Sequence, residues 1–465
     1  MVYGRKVRTF DWFSFSIFLS LVIIGWLMVY ASDSEQNIQE LTGSGIPLAL
    51  AAQGVWVMIA VIAFLTAYLI DTKFWVTFAY PIFIFTLFLL ILVLLFGVKI
   101  KGATSWFQIA GFSLQPSEFA KVGTALALSA YLSHYKTNLR EFKYQITGLG
   151  MIAAPIFLIM LQPDAGSALV FLSLTILLFR EGMPPGIYII GLLALALFIT
   201  ALLFPFHEVV FGILAVGLFV IWGSLDKVRY RWPVMALLGI LTILCYYMDW
   251  ITQGIVTTSI LSAGLLVLHG LERNGRFIIT IFPAIALSIL FAFSSQYVFN
   301  NVLKPHQQDR INVWLQPEKC DPRGSLYNVL QSKVAIGSGG LQGKGYLQGT
   351  MTKLNYVPEQ STDFIFSTIG EEQGFIGSFG IIGLFLMLIL RIIWMGEKAN
   401  NKMYRNFAYA VAGFLFIHTF VNIGMTMGLV PIVGIPLPLI SKGGSSLLGF
   451  SIMMGILLRM DNSGR

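Results

Sequence analysis

The chain has 465 residues, of which 57% are hydrophobic and only 11% charged, with a mean hydropathy of +0.79. A soluble globular domain carries about 25% charged residues, so an ordinary water-facing surface cannot be assembled from this supply. The formal net charge of +8 reads as membrane topology rather than affinity for nucleic acid, because Lys and Arg gather in short connections on alternate sides.

The first apolar run, near residues 11–32, is long enough to span and lacks a small-residue cleavage site, so it reads as an anchor and not as a cleavable signal. Further runs follow near 47–70, 73–97, 116–134, 144–162, 165–181, 186–204, 207–225, 232–248, 251–269, 277–300, 364–391, 404–428 and 440–460. Together they make about fourteen crossings, if each run of ~20 residues crosses once. The fold class is all-α, a polytopic transmembrane bundle. Arg5, Lys6 and Arg8 precede the first run. Lys136, Arg140 and Lys143, then Lys227, Arg229 and Arg231, then Arg273 and Arg276, and finally Arg391, Lys398, Lys402 and Arg405 fall on the same side, which is therefore cytoplasmic. The opposite connections are nearly free of Lys and Arg, with Lys99 and Lys101 the main exceptions.

Charges inside or beside spans are costly and each needs a reason. Glu118 and Lys121 follow Gln115-Pro116-Ser117 at a helix start, and their i,i+3 spacing puts them on one face, as a self-neutralising pair or as part of a site. Asp164, in Gln162-Pro163-Asp164, reads as a helix cap. Residues 303–362 form an outer segment of Gly, polar and apolar residues that is expected to fold onto the bundle. Its run from Ile336 to Gly345 departs twice from the phosphate-loop template, at Ser338 and at Gly345, yet its backbone N–H groups with Lys333 and Lys344 are candidates to receive a lipid-linked phosphate. The sharpest segment runs from Pro358 to Phe366. Asp363 stands where the outer segment enters a span, and Phe364, Ile365 and Phe366 follow at once, a setting that suits a general base. Glu371 and Glu372 lie two turns further on, expected to pair with Lys121 or with backbone donors. Gly428–Ser446 is too rich in Pro and Gly for a regular helix, so it is expected to form a re-entrant or interfacial wall, buried in protein or lining a wet cavity. The five His are scattered and Cys245 and Cys320 lie apart, which offers neither a histidine metal site nor a disulfide framework.

These segments together resemble the SEDS family (shape, elongation, division and sporulation proteins). The resemblance is carried by Lys101 to Trp106, Gln115 to Glu118 with Lys121, Gln162 to Asp164, Gln331 to Gly340, Pro358 to Phe366 with Glu371 and Glu372, and Pro431 to Ser446. It implies a peptidoglycan glycosyltransferase that polymerises lipid II on the outer face of the bacterial cytoplasmic membrane, in cell elongation and shape maintenance. It further implies a class B penicillin-binding protein as partner and a divalent cation, Mg2+ or Mn2+, as cofactor. Asp363 takes the place of the family's catalytic aspartate. Trp106, Glu118, Lys121, Lys333, Ser338, Lys344, Glu371, Glu372 and Ser445 are candidate substrate-binding residues. The resemblance divides the chain into the N-terminal part of the membrane core (1–185), helices including about four beyond the family's usual ten (186–300), a long outer catalytic loop (301–363), and the C-terminal part of the core (364–465). Lys442 stands where the family pattern has an aromatic residue. A transporter or flippase of the lipid-linked precursor is the alternative; the clustering of polar motifs on one face, without matched halves, favours the enzyme.

Overall fold

The computed structural model describes residues 10–33, 48–100, 102–109, 112–223, 231–248, 250–272, 276–321 and 324–464. Arg5, Lys6, Arg8, Lys101, Lys227, Arg229 and Arg273, on which part of the topology argument rests, lie outside the described residues. The chain divides into two units, Met1–Pro184 with Asp321–Arg465, and Pro185–Cys320.

The first unit contains α1 (Trp12–Ser32), α2 (Leu48–Leu69), α3 (Thr72–Thr77), α4 (Ala79–Phe96), a small sheet, α5 (Pro116–Ser133), α6 (Phe142–Leu161), α7 (Ala165–Phe171) and α8 (Leu174–Arg180). The second unit contains α9 (Pro185–Leu203), α10 (Phe206–Gly223), α11 (Arg231–Tyr247), α12 (Ile251–Glu272), α13 (Arg276–Asn301) and α14 (Pro305–Leu315). The first unit resumes with α15 (Ser325–Ser338), α16 (Thr350–Lys353), α17 (Ile365–Glu397), α18 (Lys402–Thr426) and α19 (Gly444–Gly464). Helix occupies every apolar run, although 73–97 is divided between α3 and α4 and 165–181 between α7 and α8. Among the described residues, eight helices are long and apolar enough to cross a membrane, so the chain is a multi-pass membrane protein.

Helix α5 is not one of the eight, and its packing explains why. It is surrounded by α4, α6, α18 and α19 and is buried almost without break from Pro116 to Ser129. A helix shielded from lipid can carry Glu118, Lys121 and Thr124 where a lipid-facing one cannot. The strands β1 (Val98–Ile100), β2 (Ala103–Ile109) and β3 (Phe112–Leu114) form an antiparallel sheet ahead of α5 that the helical periodicity did not predict. Gly102, at φ +91°, supplies the left-handed turn between β1 and β2.

Helix α17 is discontinuous. Gly374 adopts φ +64° and ψ −161°, which breaks the helix and leaves backbone groups unsatisfied at the break. The loop after α15 completes it. Lys344 and Gly345 donate backbone N–H bonds to the carbonyls of Glu371 and Glu372, each at 3.0 Å. Phe375 and Ile376 donate to the carbonyls of Gly340 and Leu341 at 2.9 and 3.1 Å. Several amides of the glycine run are therefore committed to protein carbonyls. The amides of Lys344 and Gly345 serve the broken helix, Gly343 N–H bonds Gly339, and Ile336 to Ser338 are the last residues of α15.

In the second unit, Ala201, Val209 and Ala292 form a small core with Leu197, Phe206 and Ile213 packed against it. The end of α9 is capped by two glutamines. Gln296 donates to the carbonyls of Ala201 and Phe204, and Gln316 to those of Leu202 and Leu203. These side chains satisfy carbonyls that the helix end leaves open.

Candidate functional site

Asp363 lies in the turn that leads into α17, with Phe364 at the helix cap. Its side chain is half-buried, while Phe364, Ile365 and Phe366 behind it are buried. Three successive carbonyls anchor the turn. Ser361 accepts from the Lys442 backbone N–H at 2.8 Å, Thr362 from Ser441 Oγ at 2.6 Å, and Asp363 from Asn422 Nδ2 at 2.8 Å. Gln360 adds bonds to the carbonyls of Ser32 and Thr352 at 2.7 and 2.8 Å. The carboxylate itself runs beside the Gly428–Ser446 segment: a Cβ at Gly434 would stand 3.4 Å from Asp363 Oδ2.

That segment is irregular, as its prolines and glycines require, and residues 435 and 437–441 of it are buried. Protein surrounds it because Gly25 of α1 and Gly166 of α7 let neighbouring backbone come close. A Cβ on Gly25 would meet Ile440 Cα and the Leu439 carbonyl, and one on Gly166 the Val433 carbonyl.

Behind the wall lies a buried polar cluster. Lys121 Nζ is 2.7 Å from Glu118 Oε2 and 2.9 Å from His418 Nε2, with all three side chains enclosed. His418 Nδ1 lies 3.2 Å from the Pro436 carbonyl. The pair anticipated from the i,i+3 spacing is present, and Lys121 is enclosed rather than offered to solvent. Asp164 caps α7 by accepting from the Ser167 N–H at 3.0 Å, and its second oxygen accepts from Gln115 Nε2 at 2.9 Å.

The remaining candidates are dispersed. Glu371 accepts at both oxygens: Oε1 from Lys344 Nζ at 2.6 Å and Met351 N–H at 2.9 Å, Oε2 from Thr352 N–H at 2.9 Å and Thr352 Oγ1 at 2.7 Å. It thereby holds the start of α16 onto α17, and its partner is Lys344, not Lys121. Glu372 is buried below Gly349. Ser445 is buried too, accepting from Gln115 N–H and donating to the Ser113 carbonyl, each at 3.1 Å, which ties α19 to the start of α5. Trp106 is half-buried in β2 opposite Val98. Ser338 is exposed and donates back to the Ala335 carbonyl. Lys333 is exposed on α15 and packs over Gly428. Lys442 reaches Asp33 at 2.7 Å, joining the end of α1 to the wall.

His418 and Asn422 are the residues that sequence reasoning missed. Their signal was polar spacing at i, i+4 and i+8 along α18, completed by Thr426, in the second half of a membrane-length helix. An apolar groove of about 600 Å³ also runs between α1 and α17, lined by Leu27, Met28, Gly377, Gly380 and Leu384, with Tyr346 and Gln373 at its polar lining. Tyr346 donates its hydroxyl to the Leu27 carbonyl at 3.0 Å. Burial, with Glu372 and Tyr30 nearby, pushes its phenol up to about 12. Among the described residues, no three His, Cys, Asp or Glu side chains converge to hold a metal.

Discontinuous helix, irregular wall and half-buried carboxylate together define a polytopic membrane protein with a polar site beside the turn that enters α17. The chain belongs to the SEDS family, whose model, described as Cell cycle protein (FtsW, RodA, SpoVE), matches residues 11–219 and 223–465. It is 31% identical over 469 residues to the peptidoglycan glycosyltransferase RodA of Treponema pallidum (strain Nichols), covering 98% of each chain. It is 29% identical over 381 residues to the peptidoglycan glycosyltransferase MrdB of Escherichia coli (strain K12), covering 81% of this chain and 76% of that one. The fold is similar to a chain solved for "Structural coordination of polymerization and crosslinking by a peptidoglycan synthase complex" (TM-score 0.64, 24% identity, 98% of each chain). It is also similar to the rod shape determining protein RodA of Thermus thermophilus (TM-score 0.56, 21% identity, 98% of each chain). The Treponema relative matches along the whole length, so residues 186–300 are not peculiar to this chain.

Proposed function

We propose that the chain is a peptidoglycan glycosyltransferase that polymerises lipid II on the outer face of the bacterial cytoplasmic membrane, with Asp363 as its general base. The names of the relatives support the activity class. The observation that carries the residue assignment is the geometry of Asp363: a half-buried carboxylate on a turn pinned at three successive carbonyls, against an apolar floor. A base held in this way needs no reorganisation when the acceptor sugar arrives. Asp363 takes the proton of the attacking hydroxyl as its oxygen bonds to the anomeric carbon, and the bond from that carbon to the lipid pyrophosphate breaks. Lys333, exposed on α15, is the candidate to balance charge on the departing pyrophosphate. The groove between α1 and α17 is of the right chemistry for a prenyl chain.

A divalent cation, Mg2+ or Mn2+, would supply further charge neutralisation at the pyrophosphate. Without a protein-only cluster among the described residues, Asp363 and the phosphate oxygens of the substrate would hold it, as is usual for Mg2+. The partner is a class B penicillin-binding protein that crosslinks the strands, and the process is cell elongation.

The test is polymerisation of purified lipid II by the protein with its partner. Asp363→Asn preserves size and removes the base, and glycan synthesis is expected to fall by roughly 10²–10⁴-fold. Polymerisation at the wild-type rate by a well-folded Asp363→Asn protein would reject the assignment.

A further inference from the structure

Three residues of the irregular wall touch three different parts of the site. Gly434 lies beside the Asp363 carboxylate. The Ile435 carbonyl accepts from Asn422 Nδ2 at 2.7 Å, the same nitrogen that bonds the Asp363 carbonyl at 2.8 Å. The Pro436 carbonyl faces His418 Nδ1 at 3.2 Å. His418 and Asn422 are one helical turn apart on α18 and both are buried. One helix face therefore grips the wall at two successive carbonyls. Through His418 Nε2 that same face reaches Lys121 on α5.

The chemistry of the partners assigns the imidazole. A carbonyl oxygen has no proton to give, so Nδ1 carries the hydrogen. The Lys121 ammonium has only donors, so Nε2 must accept. An imidazolium would set two donors and two positive charges against each other at 2.9 Å. The ring is thus neutral, protonated at Nδ1, and connects the Glu118–Lys121 pair to the wall.

We propose that His418 is a positioning residue for the glycosyl transfer. With Asn422 it fixes the Lys121 cluster and the Asp363 turn in one register by clamping Ile435 and Pro436 between them. The proposal rests on the glycosyltransferase reading. It goes beyond it in assigning catalytic consequence to a side chain that touches neither the base nor any exposed surface.

The prediction is a loss of turnover without a matching loss of substrate affinity. In lipid II polymerisation by the full-length protein with its partner, His418→Ala is expected to lower kcat on the order of tenfold to a hundredfold, with KM close to the wild-type value, as for a misplaced reacting group. Two substitutions divide the function. His418→Gln can still accept from Lys121, and His418→Asn can still donate toward Pro436, so each recovers part of the lost kcat. An unchanged kcat in His418→Ala overturns the proposal. So does an equal loss in all three variants accompanied by equally lowered thermal stability, because that pattern belongs to packing alone. A readout independent of activity is solid-state NMR of protein labelled with 15N-histidine. Among five histidines, the signals lost in His418→Gln must report a neutral ring protonated at Nδ1; an Nε2-protonated ring or an imidazolium overturns the assignment. A wild-type protein that leaves lipid II unpolymerised overturns the function and this proposal together. An active wild type with an indifferent His418→Ala overturns only the latter.

Discussion

At the scale of single residues, Glu118 and Glu371 are buried carboxylates matched to lysines, and that matching makes their removal informative. Glu118 and Lys121 are each nearly inaccessible and 2.7 Å apart. Taking away one partner leaves the other charge buried, at a cost of about 3–5 kcal/mol. Glu118→Gln and Lys121→Met are each expected to lower the unfolding midpoint strongly, and the double variant less than the sum. Thermal unfolding of the four proteins of this cycle measures the coupling; additive losses would show that the pair does not act as one. The i,i+3 spacing made this pair legible in the sequence. The third member was not legible, because His418 meets Lys121 across 297 positions and only the packing of α18 against α5 brings the two together. Glu371 shows the converse. Its position in the motif suggested substrate binding, whereas its two oxygens accept from Lys344, Met351 and Thr352. Glu371→Ala is therefore expected to loosen α16 from α17, seen as faster hydrogen exchange at Met351 and Thr352; unchanged protection there would refute this role.

At the scale of elements, α17 and its glycine loop form one object. Gly374 has a backbone conformation that other residues enter at about 1–3 kcal/mol, and a Cβ there would also strike the Gly343 backbone. Gly374→Ala is expected to displace the loop and abolish polymerisation while the inner part of α17 stays helical. Full activity in this variant would remove the loop from the mechanism. Gly380 provides a contrasting test. Nothing lies within 4 Å of a Cβ at this position, so Gly380→Leu folds but fills the groove between α1 and α17. A raised KM for lipid II with little change in stability is expected, and an unchanged KM would exclude the groove as the seat of the prenyl chain. Helix positions were readable from apolar runs because each run is about as long as the bilayer core is thick. The β1–β3 sheet and the splice in α17 were not. The sheet is short, and the bonds that repair α17 come from a loop whose glycines resemble many other turns.

At the scale of the whole molecule, the charge pattern predicts an orientation for the chain, and orientation is directly measurable. Gln348 is exposed in the loop above α16. With Cys245 and Cys320 replaced by Ser, Gln348→Cys is expected to react with a membrane-impermeant maleimide added to intact cells. Labelling only after the membrane is opened would invert the topology and move Asp363 to the wrong compartment for lipid II polymerisation. Chelation tests the cofactor: removing divalent ions is expected to lower polymerisation, and added Mg2+ or Mn2+ to restore it.

The break at Gly374 also works as a depth gauge. Trp394, stacked beneath Arg391 and Lys398, is the kind of aromatic side chain that settles at a membrane–water boundary. From Gly374 to Trp394 is about twenty residues, or roughly 30 Å of helix, the thickness of the hydrocarbon layer. On the proposed topology, the waterline of the outer leaflet is expected at the break. Everything before it, from Asp363 to Glu372, would then stand on a helical stub above the oil, a height that suits its three carboxylates, Asp363, Glu371 and Glu372. A lipid-anchored sugar held at that height would meet Asp363 without lifting its chain out of the bilayer.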